Sequence, residues 1–300
     1  MIKSILYKTI YSAHVNYILR SINKLFKFIL PFRIPPSGKL KFKLKSGEPI
    51  VFHTNQTDHV SFLLFWNGLY KYEYLDVFED IIPLCKGFID IGANGGIYSL
   101  VGAKKSPSTA IIAFDPSDAA FFFLNKNIES NDVGTVVDRF QMAVSDVEGT
   151  MTFYKVKNPK YPFLQHNLGG AASLIHKPEN FESLAVNTVV LDSFLLQNYP
   201  QQPIDLVKID AEGAEPHIIR GMKNTIAAFK PILICEVLFD DILNDLEKEV
   251  TSLRDYQLFF HIAEGLKAVN QLSEKNQYDD VRNCFYIPNE KIAWFKKWII

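Results

Sequence analysis

Phe88-Ile89-Asp90-Ile91-Gly92-Ala93-Asn94-Gly95-Gly96 is the stretch that decides the fold. A short apolar run, the pattern of a buried strand, ends on an acid and breaks into a glycine-rich turn. Helix-permissive sequence follows, so backbone N–H groups of the turn and helix start face whatever docks there. A doubly wound α/β sheet makes its nucleotide crevice in this way, at the carboxyl edge of its first strand.

The residues inside the turn select among nucleotides. A dinucleotide-binding turn reads G-x-G-x-x-G, its second glycine admitting a pyrophosphate close to the backbone. Here that position is Asn94, and Asp90 lies two residues before the first glycine. A carboxylate at this mouth repels a pyrophosphate and attracts an ammonium. S-adenosylmethionine carries an ammonium and a sulfonium and has no phosphate. The expectation is therefore that Asp90 accepts from its ammonium, directly or through water. Backbone from Gly92 through Ala93 to Gly96 would lie against the methionine tail, with Asn94 hydrogen-bonding nearby.

The next apolar run, Ala110-Ile111-Ile112-Ala113-Phe114, ends in Asp115-Pro116. An acid at the tip of the second strand, roughly 20 residues past the turn, is where ribose hydroxyls are gripped. Asp115 reads as that ligand, although an acid before Pro116 also suits a turn and a helix cap.

Strand and helix patterns keep alternating to the end of the chain, with strands expected near 136–144, 150–156, 186–190, 204–209, 232–237, 258–262 and 284–287. The expected architecture is a Rossmann-like α/β fold: a mostly parallel, seven-stranded sheet with helices on both faces. Residues 69–300 form the main domain. Residues 1–68 form a small appendage with a basic amphipathic helix. An irregular insertion at about 150–185 is too long for a plain connection in a compact domain and is expected to cover the substrate. Its Tyr154, Tyr161, Phe163 and Phe181 would either stack on a sugar ring or pack inward.

A second acidic group, Lys208-Ile209-Asp210-Ala211-Glu212-Gly213-Ala214-Glu215, sits at the carboxyl tip of another apolar run. In the doubly wound arrangement this tip adjoins that of Asp90. Alternation points Lys208, Asp210 and Glu212 the same way while the chain stays extended. Asp210 or Glu212 is the expected base or hydroxyl-orienting group, Lys208 an orienting charge, and His217 a further base candidate. Glu215 reads more simply as a helix-terminal acid. Without His or Asn partners at ligand spacing, no metal is expected.

Composition narrows the class. The chain has 300 residues, 48% of them hydrophobic and 22% charged, with a formal net charge of −1. That balance offers no global field for nucleic acid. Cys85, Cys235 and Cys284 are far apart and read as reduced thiols, which suits a cytoplasmic protein. Charge is unevenly placed: no Asp or Glu precedes Glu48, whereas ten Lys or Arg do, interleaved with apolar residues. Residues 1–30 are too short of continuous apolar sequence to span a bilayer, for which about 20 residues are needed. Two readings stand: a helix peripheral on an anionic membrane, or, preferred, a helix packed on the main domain with its lysines in solvent.

Taken together, these blocks resemble the FkbM family of methyltransferases, a class I S-adenosylmethionine-dependent group acting mainly on hydroxyl oxygens. The resemblance runs in order through Asp90 to Gly96, Ala113-Phe114-Asp115-Pro116, Leu124-Asn125-Lys126-Asn127-Ile128 and Ala143-Val144-Ser145-Asp146. It continues through Gly169 to Leu174, Leu191-Asp192-Ser193-Phe194, Lys208 to Glu215, Gly221 and Cys235-Glu236. It implies that Ala143 and Val144 line an adenine pocket beside Pro116, and that Lys208, Asp210 and Glu212 border the transfer site. One departure is Asp115, where the family more commonly carries Glu. The resemblance implies a hydroxyl-bearing acceptor, a sugar of a glycoconjugate or a secondary metabolite. The rivals are a nucleotide-dependent oxidoreductase on the same fold and a non-catalytic, membrane-associated scaffold that retains the fold.

Overall fold

The computed structural model describes the chain except residues 1, 157, 170–173, 176–180, 239, 251–252 and 279–280, together with the side chains of 2, 240 and 241. Two helices, α1 (Ile2–Ile10) and α2 (Ala13–Leu25), precede a hairpin of β1 (Gly38–Lys43) and β2 (Pro49–Thr54). Then come α3 (His59–Asn67), α4 (Leu75–Ile81), β3 (Gly87–Ile91), α5 (Ile97–Lys105), β4 (Ala110–Phe114), α6 (Asp118–Ser130) and β5 (Val137–Phe140). A smaller unit follows, of β6 (Ala143–Ser145), β7 (Gly149–Val156) and β8 (Phe181–Val190). The chain returns through α7 (Leu191–Asn198), β9 (Leu206–Ile209), α8 (Glu215–Arg220), α9 (Lys223–Phe229), β10 (Ile232–Glu236), α10 (Asp240–Val250), β11 (Tyr256–Ile262), β12 (Gly265–Val269) and β13 (Asn283–Pro288).

The main sheet has the order β12-β11-β13-β10-β9-β3-β4-β5. Neighbours are parallel from β10 to β5, while β13 runs antiparallel to both β10 and β11 and β12 runs antiparallel to β11. Six of the eight strands thus share one direction, as expected of a mostly parallel α/β sheet. All five residues of β3 and of β10, and all four of β9, are buried. Strands covered by helices on both faces need such continuous apolar sequence. Alternation divides them between two cores: Phe88 packs with α4 and α5, while Ile89 and Ile91 pack with α7 and α8.

Three strand expectations are corrected. The sheet has eight strands, because Gly265, at φ 145°, turns the chain after β11 and adds β12 at the edge. The run at 136–144 is two strands: β5 completes the main sheet, whereas β6 leaves it and pairs in parallel with β8. The strand expected at 186–190 begins at Phe181, pairing antiparallel with β7 from Gly149↔Thr188 to Val156↔Phe181. Periodicity reports that a segment is extended, and it carries no record of which sheet the segment joins.

The hairpin is attached to the main sheet's helical layer through asparagines. Asn131 accepts from the Val51 N–H at 2.9 Å and donates to its carbonyl at 2.7 Å. Asn127 accepts from the His53 N–H at 2.6 Å and donates to the Gly95 carbonyl at 2.8 Å. Asn127 of α6 and Asn131, just past its end, therefore satisfy an edge that would otherwise offer unpaired backbone, and Asn127 also holds the glycine turn.

Candidate active site

The turn after β3 is shaped by two close approaches. Gly92 has φ 71°, and a Cβ there would lie 1.7 Å from the Asp210 carbonyl, so the β3 and β9 tips touch through bare backbone. Gly96 has φ 82°, and its Cβ would meet Leu124 at 2.5 Å. A side chain at Gly92 would separate the turn from the β9 tip, and one at Gly96 would be strained by its positive φ and displace Leu124. Asn94, also left-handed at φ 50°, stands between them. Its N–H donates to Asp115 Oδ2 at 2.8 Å, and the other Asp115 oxygen accepts from Ser117 N–H at 2.9 Å.

A cavity of about 380 Å³ opens at the carboxyl tips of β3, β4 and β9, a size suited to a small-molecule site. Gly92, Asn94, Asp115, Pro116, Ala143 and Val144 line one part of it. Asp210 and Glu212 line another, joined by Glu73, Glu236 and Arg282. Phe153, Asn167, Leu168, Gly169 and Leu174 contribute from β7 and the segment joining it to β8. Gly170, Ala171, Ala172 and Ser173 of that segment's motif lie outside the described residues.

Several expected residues stand behind the wall. Asp90 is 0% exposed; it accepts from the Ser99 hydroxyl at 2.7 Å and pairs with Lys208 at 3.3 Å. Lys208 is itself buried, reaching Asp210 at 3.4 Å and the Gly92 carbonyl at 3.1 Å. Burial opposes its charge, yet Asp210, Asp90 and Glu73 together raise its pKa. Ala93 and Gly96 are buried in the turn without lining the cavity. His217 is remote: its Nδ1 meets Asp146 at 3.1 Å beside Arg220. Glu215 folds back to accept the Ala211 N–H at 2.9 Å. Of the insertion's aromatics, Tyr161 packs edge-on against Tyr7 and Tyr11, and Tyr154 against Phe181. Tyr161 and Phe181 also line a second groove of about 420 Å³, which shares Asn167 with the cavity.

Crowded carboxyls dominate the electrostatics. Burial, reinforced by Asp210, pushes Glu73 up to about 7 and Glu212 up to about 8. Glu236 is driven to about 11 by burial, then by Asp210 and Glu212. Asp115 rises to about 6 through burial, against the N–H groups it accepts. Buried acids facing one another resist ionisation until a cation joins them. Carboxylate oxygens of Asp210, Glu212 and Glu236 lie within 4.8 Å of one another, an all-oxygen donor set of the kind hard divalent ions take. Asn94 Oδ1 is buried at the cavity's edge with no hydrogen-bond partner among the described residues, an acceptor suited to a ligand's donor.

Glu236, noted in the sequence only within the resemblance and given no role there, is an acid ending an apolar strand, the same local signal that marked Asp90 and Asp210. Glu73 precedes α4 at φ 41°, and Arg282 precedes β13; neither lies in a motif.

Residues 90–260 match the family model described as the methyltransferase FkbM domain. The chain is 28% identical over 184 residues to the methyltransferase sdnD of Sordaria araneosa, covering 51% of this chain and 68% of that protein. It is 27% identical over 185 residues to the 31-O-demethyl-FK506 methyltransferase FkbM of Streptomyces tacrolimicus, covering 52% and 70%. Among solved structures, a methyltransferase FkbM from Methylobacillus flagellatus KT aligns with TM-score 0.44 at 16% identity, over 67% of this chain and 43% of that one.

Proposed function

Since the chain belongs to the FkbM family of methyltransferases, we propose that it transfers a methyl group from S-adenosylmethionine to a hydroxyl oxygen of a sugar, glycoconjugate or secondary metabolite. The observation that carries this reading is the acid-walled cavity at the β3, β4 and β9 tips. When bound, the cofactor supplies an electrophilic methyl on a sulfonium. Asn94 Oδ1 and the turn backbone at Gly92 would hold its amino-acid end, Asp115 its ribose, and Pro116, Ala143 and Val144 its adenine. Asp90 acts at second hand, by fixing Lys208 and through it the Gly92 carbonyl.

Glu212 is the proposed base. At a pKa of about 8 its carboxylate is a stronger proton acceptor than an ordinary acid, and that pKa lies close to working pH. Asp210 orients the hydroxyl and adds negative charge beside the cationic centre. Much of the acceleration comes from holding oxygen and methyl in line at near-attack distance. The second groove, lined by Asn158, Gln165 and Glu182 beside Tyr161 and Phe181, supports a polyhydroxylated acceptor through the hydrogen-bonding groups of those polar side chains.

The test is transfer of radiolabelled methyl into a cell extract fractionated into lipid, polysaccharide and small-molecule pools. Label in alkali-stable ether linkage to one pool is the expected result. Binding of S-adenosylhomocysteine without transfer to any pool would leave a scaffold, and fluorescence quenching by NADH instead would leave an oxidoreductase.

A further inference from the structure

Helix α2 is built inside out. Its buried side chains are Asn16, Arg20 and Asn23, on one face of the helix. Tyr17, Ile18, Ile22 and Leu25 are 61, 56, 50 and 76% exposed. The helix is held by hydrogen bonds from its polar face. Asn16 accepts from the Ser37 N–H at 2.7 Å and donates to the Pro35 carbonyl at 3.1 Å. Arg20 donates to the Ser37 carbonyl at 2.6 Å and the Lys39 carbonyl at 2.8 Å. Asn23 pairs with the Phe32 carbonyl and the Ile34 N–H. The helix packs through its polar face on residues 32–39 of the appendage, where packing on the main domain was expected, and its apolar side is left in solvent.

The patch extends beyond α2. Phe28 and Ile29 are 91 and 77% exposed. Ten of the sixteen exposed large apolar side chains among the described residues fall between residues 5 and 32. Such a concentration of exposed apolar side chains on one segment marks an interaction site. Its charge selects the partner. Lys3, Lys8, Lys27 and Arg33 are exposed on the same segment, which contains no acid. Two copies meeting through this face would oppose like charges. An anionic lipid surface satisfies both halves of the pattern, taking apolar side chains among its acyl chains and lysines at its headgroups.

We propose that α1, α2 and residues 26–32 form a docking surface for an anionic phospholipid bilayer. Binding is interfacial, since among the described residues no helix is long and apolar enough to cross a membrane. The surface connects to the cavity: Tyr7 of α1 and Tyr11 just beyond it pack on Tyr161, six residues before the Asn167-Leu168-Gly169 wall. The inference does not rest on methyl transfer.

Flotation of the full chain with vesicles of phosphatidylcholine, with and without phosphatidylglycerol, tests it. The protein should float with the anionic vesicles, stay down with the neutral ones, and be released by high salt. Ile18→Glu/Ile22→Glu and Phe28→Glu/Ile29→Glu should each cut the bound fraction at least tenfold. Leu196→Glu, at an apolar position 73% exposed on α7, should leave it unchanged. Equal circular dichroism and equal S-adenosylhomocysteine affinity in all variants would separate lost docking from lost fold. Full-length protein remaining down with every vesicle, or floating undiminished in both double variants, overturns the proposal. So does a concentration-dependent dimer that Ile18→Glu/Ile22→Glu dissociates, which would assign the face to a second copy.

Discussion

Lys208 Nζ lies 3.3 Å from Asp90 Oδ1, two side chains from adjacent parallel strands paired in register and both shut off from solvent. The same ammonium reaches Asp210 and the Gly92 carbonyl. One buried cation therefore ties together two acids and the glycine turn. Attraction at this depth offsets desolvation only while the partners are present.

Lys208→Met should destabilise the protein by about 3–5 kcal/mol, because the buried Asp90 carboxyl loses its cation and keeps only the Ser99 hydroxyl. Asp90→Asn should cost less, since Asp210 still faces the lysine. In urea unfolding, the double variant should fall well short of the sum of the singles. Additive losses would show that the pair is not coupled.

Asp115→Ala removes both the proposed ribose ligand and the acceptor of the Asn94 N–H. Affinity for S-adenosylhomocysteine, measured by calorimetry, should fall roughly 10- to 100-fold, on the order of 1.4–2.8 kcal/mol. Asp115→Glu, restoring the carboxylate, should recover most of it. Unchanged affinity in the alanine variant would move the cofactor away from β4.

Glu212→Gln should leave cofactor affinity within a few-fold and lower kcat by roughly 10²-fold or more, as expected for loss of a general base. The same variant carries a stability signature. The folded pKa of Glu212 is about 8, above its ordinary 4.5, so its contribution is complete below pH 4.5 and is lost as pH rises through 8. At pH 9 the glutamine variant should therefore be more stable than the parent by roughly 1–3 kcal/mol, with the difference vanishing near pH 4.5.

Cofactor binding should expel protons. Glu73 and Glu212, at about 7 and 8 among their neighbouring acids, favour their charged forms once a sulfonium enters. S-adenosylmethionine affinity should rise between pH 6.5 and 8.5, and its calorimetric enthalpy should vary with the buffer's ionisation enthalpy. S-adenosylhomocysteine, whose sulfur is neutral, should show a smaller effect. Identical pH dependence for both ligands would remove the electrostatic role of the acids.

Turnover should survive dialysis against EDTA. Although Asp210, Glu212 and Glu236 cluster closely, Glu236 holds its proton to about pH 11, and a metal would have to displace it. Activity lost to EDTA and restored by Mg²⁺ would show that these acids serve a metal.

The sequence by itself determined the local events: the buried runs at β3, β4, β9 and β10, the acids and glycines that end them, and the order in which they recur. Those signals lie within a few residues of one another, and strand tips in a parallel sheet converge wherever the helices between them lie. Only the tertiary structure decided where the charges face. Asp90 and Asp210 end similar strands, yet one is sealed against Lys208 and the other lines the cavity. Asn16, Arg20 and Asn23 turn inward because the 32–39 segment offers them bare carbonyls and N–H groups. Such choices depend on partners outside the element itself, whose hydrogen bonds outweigh the burial that periodicity would assign.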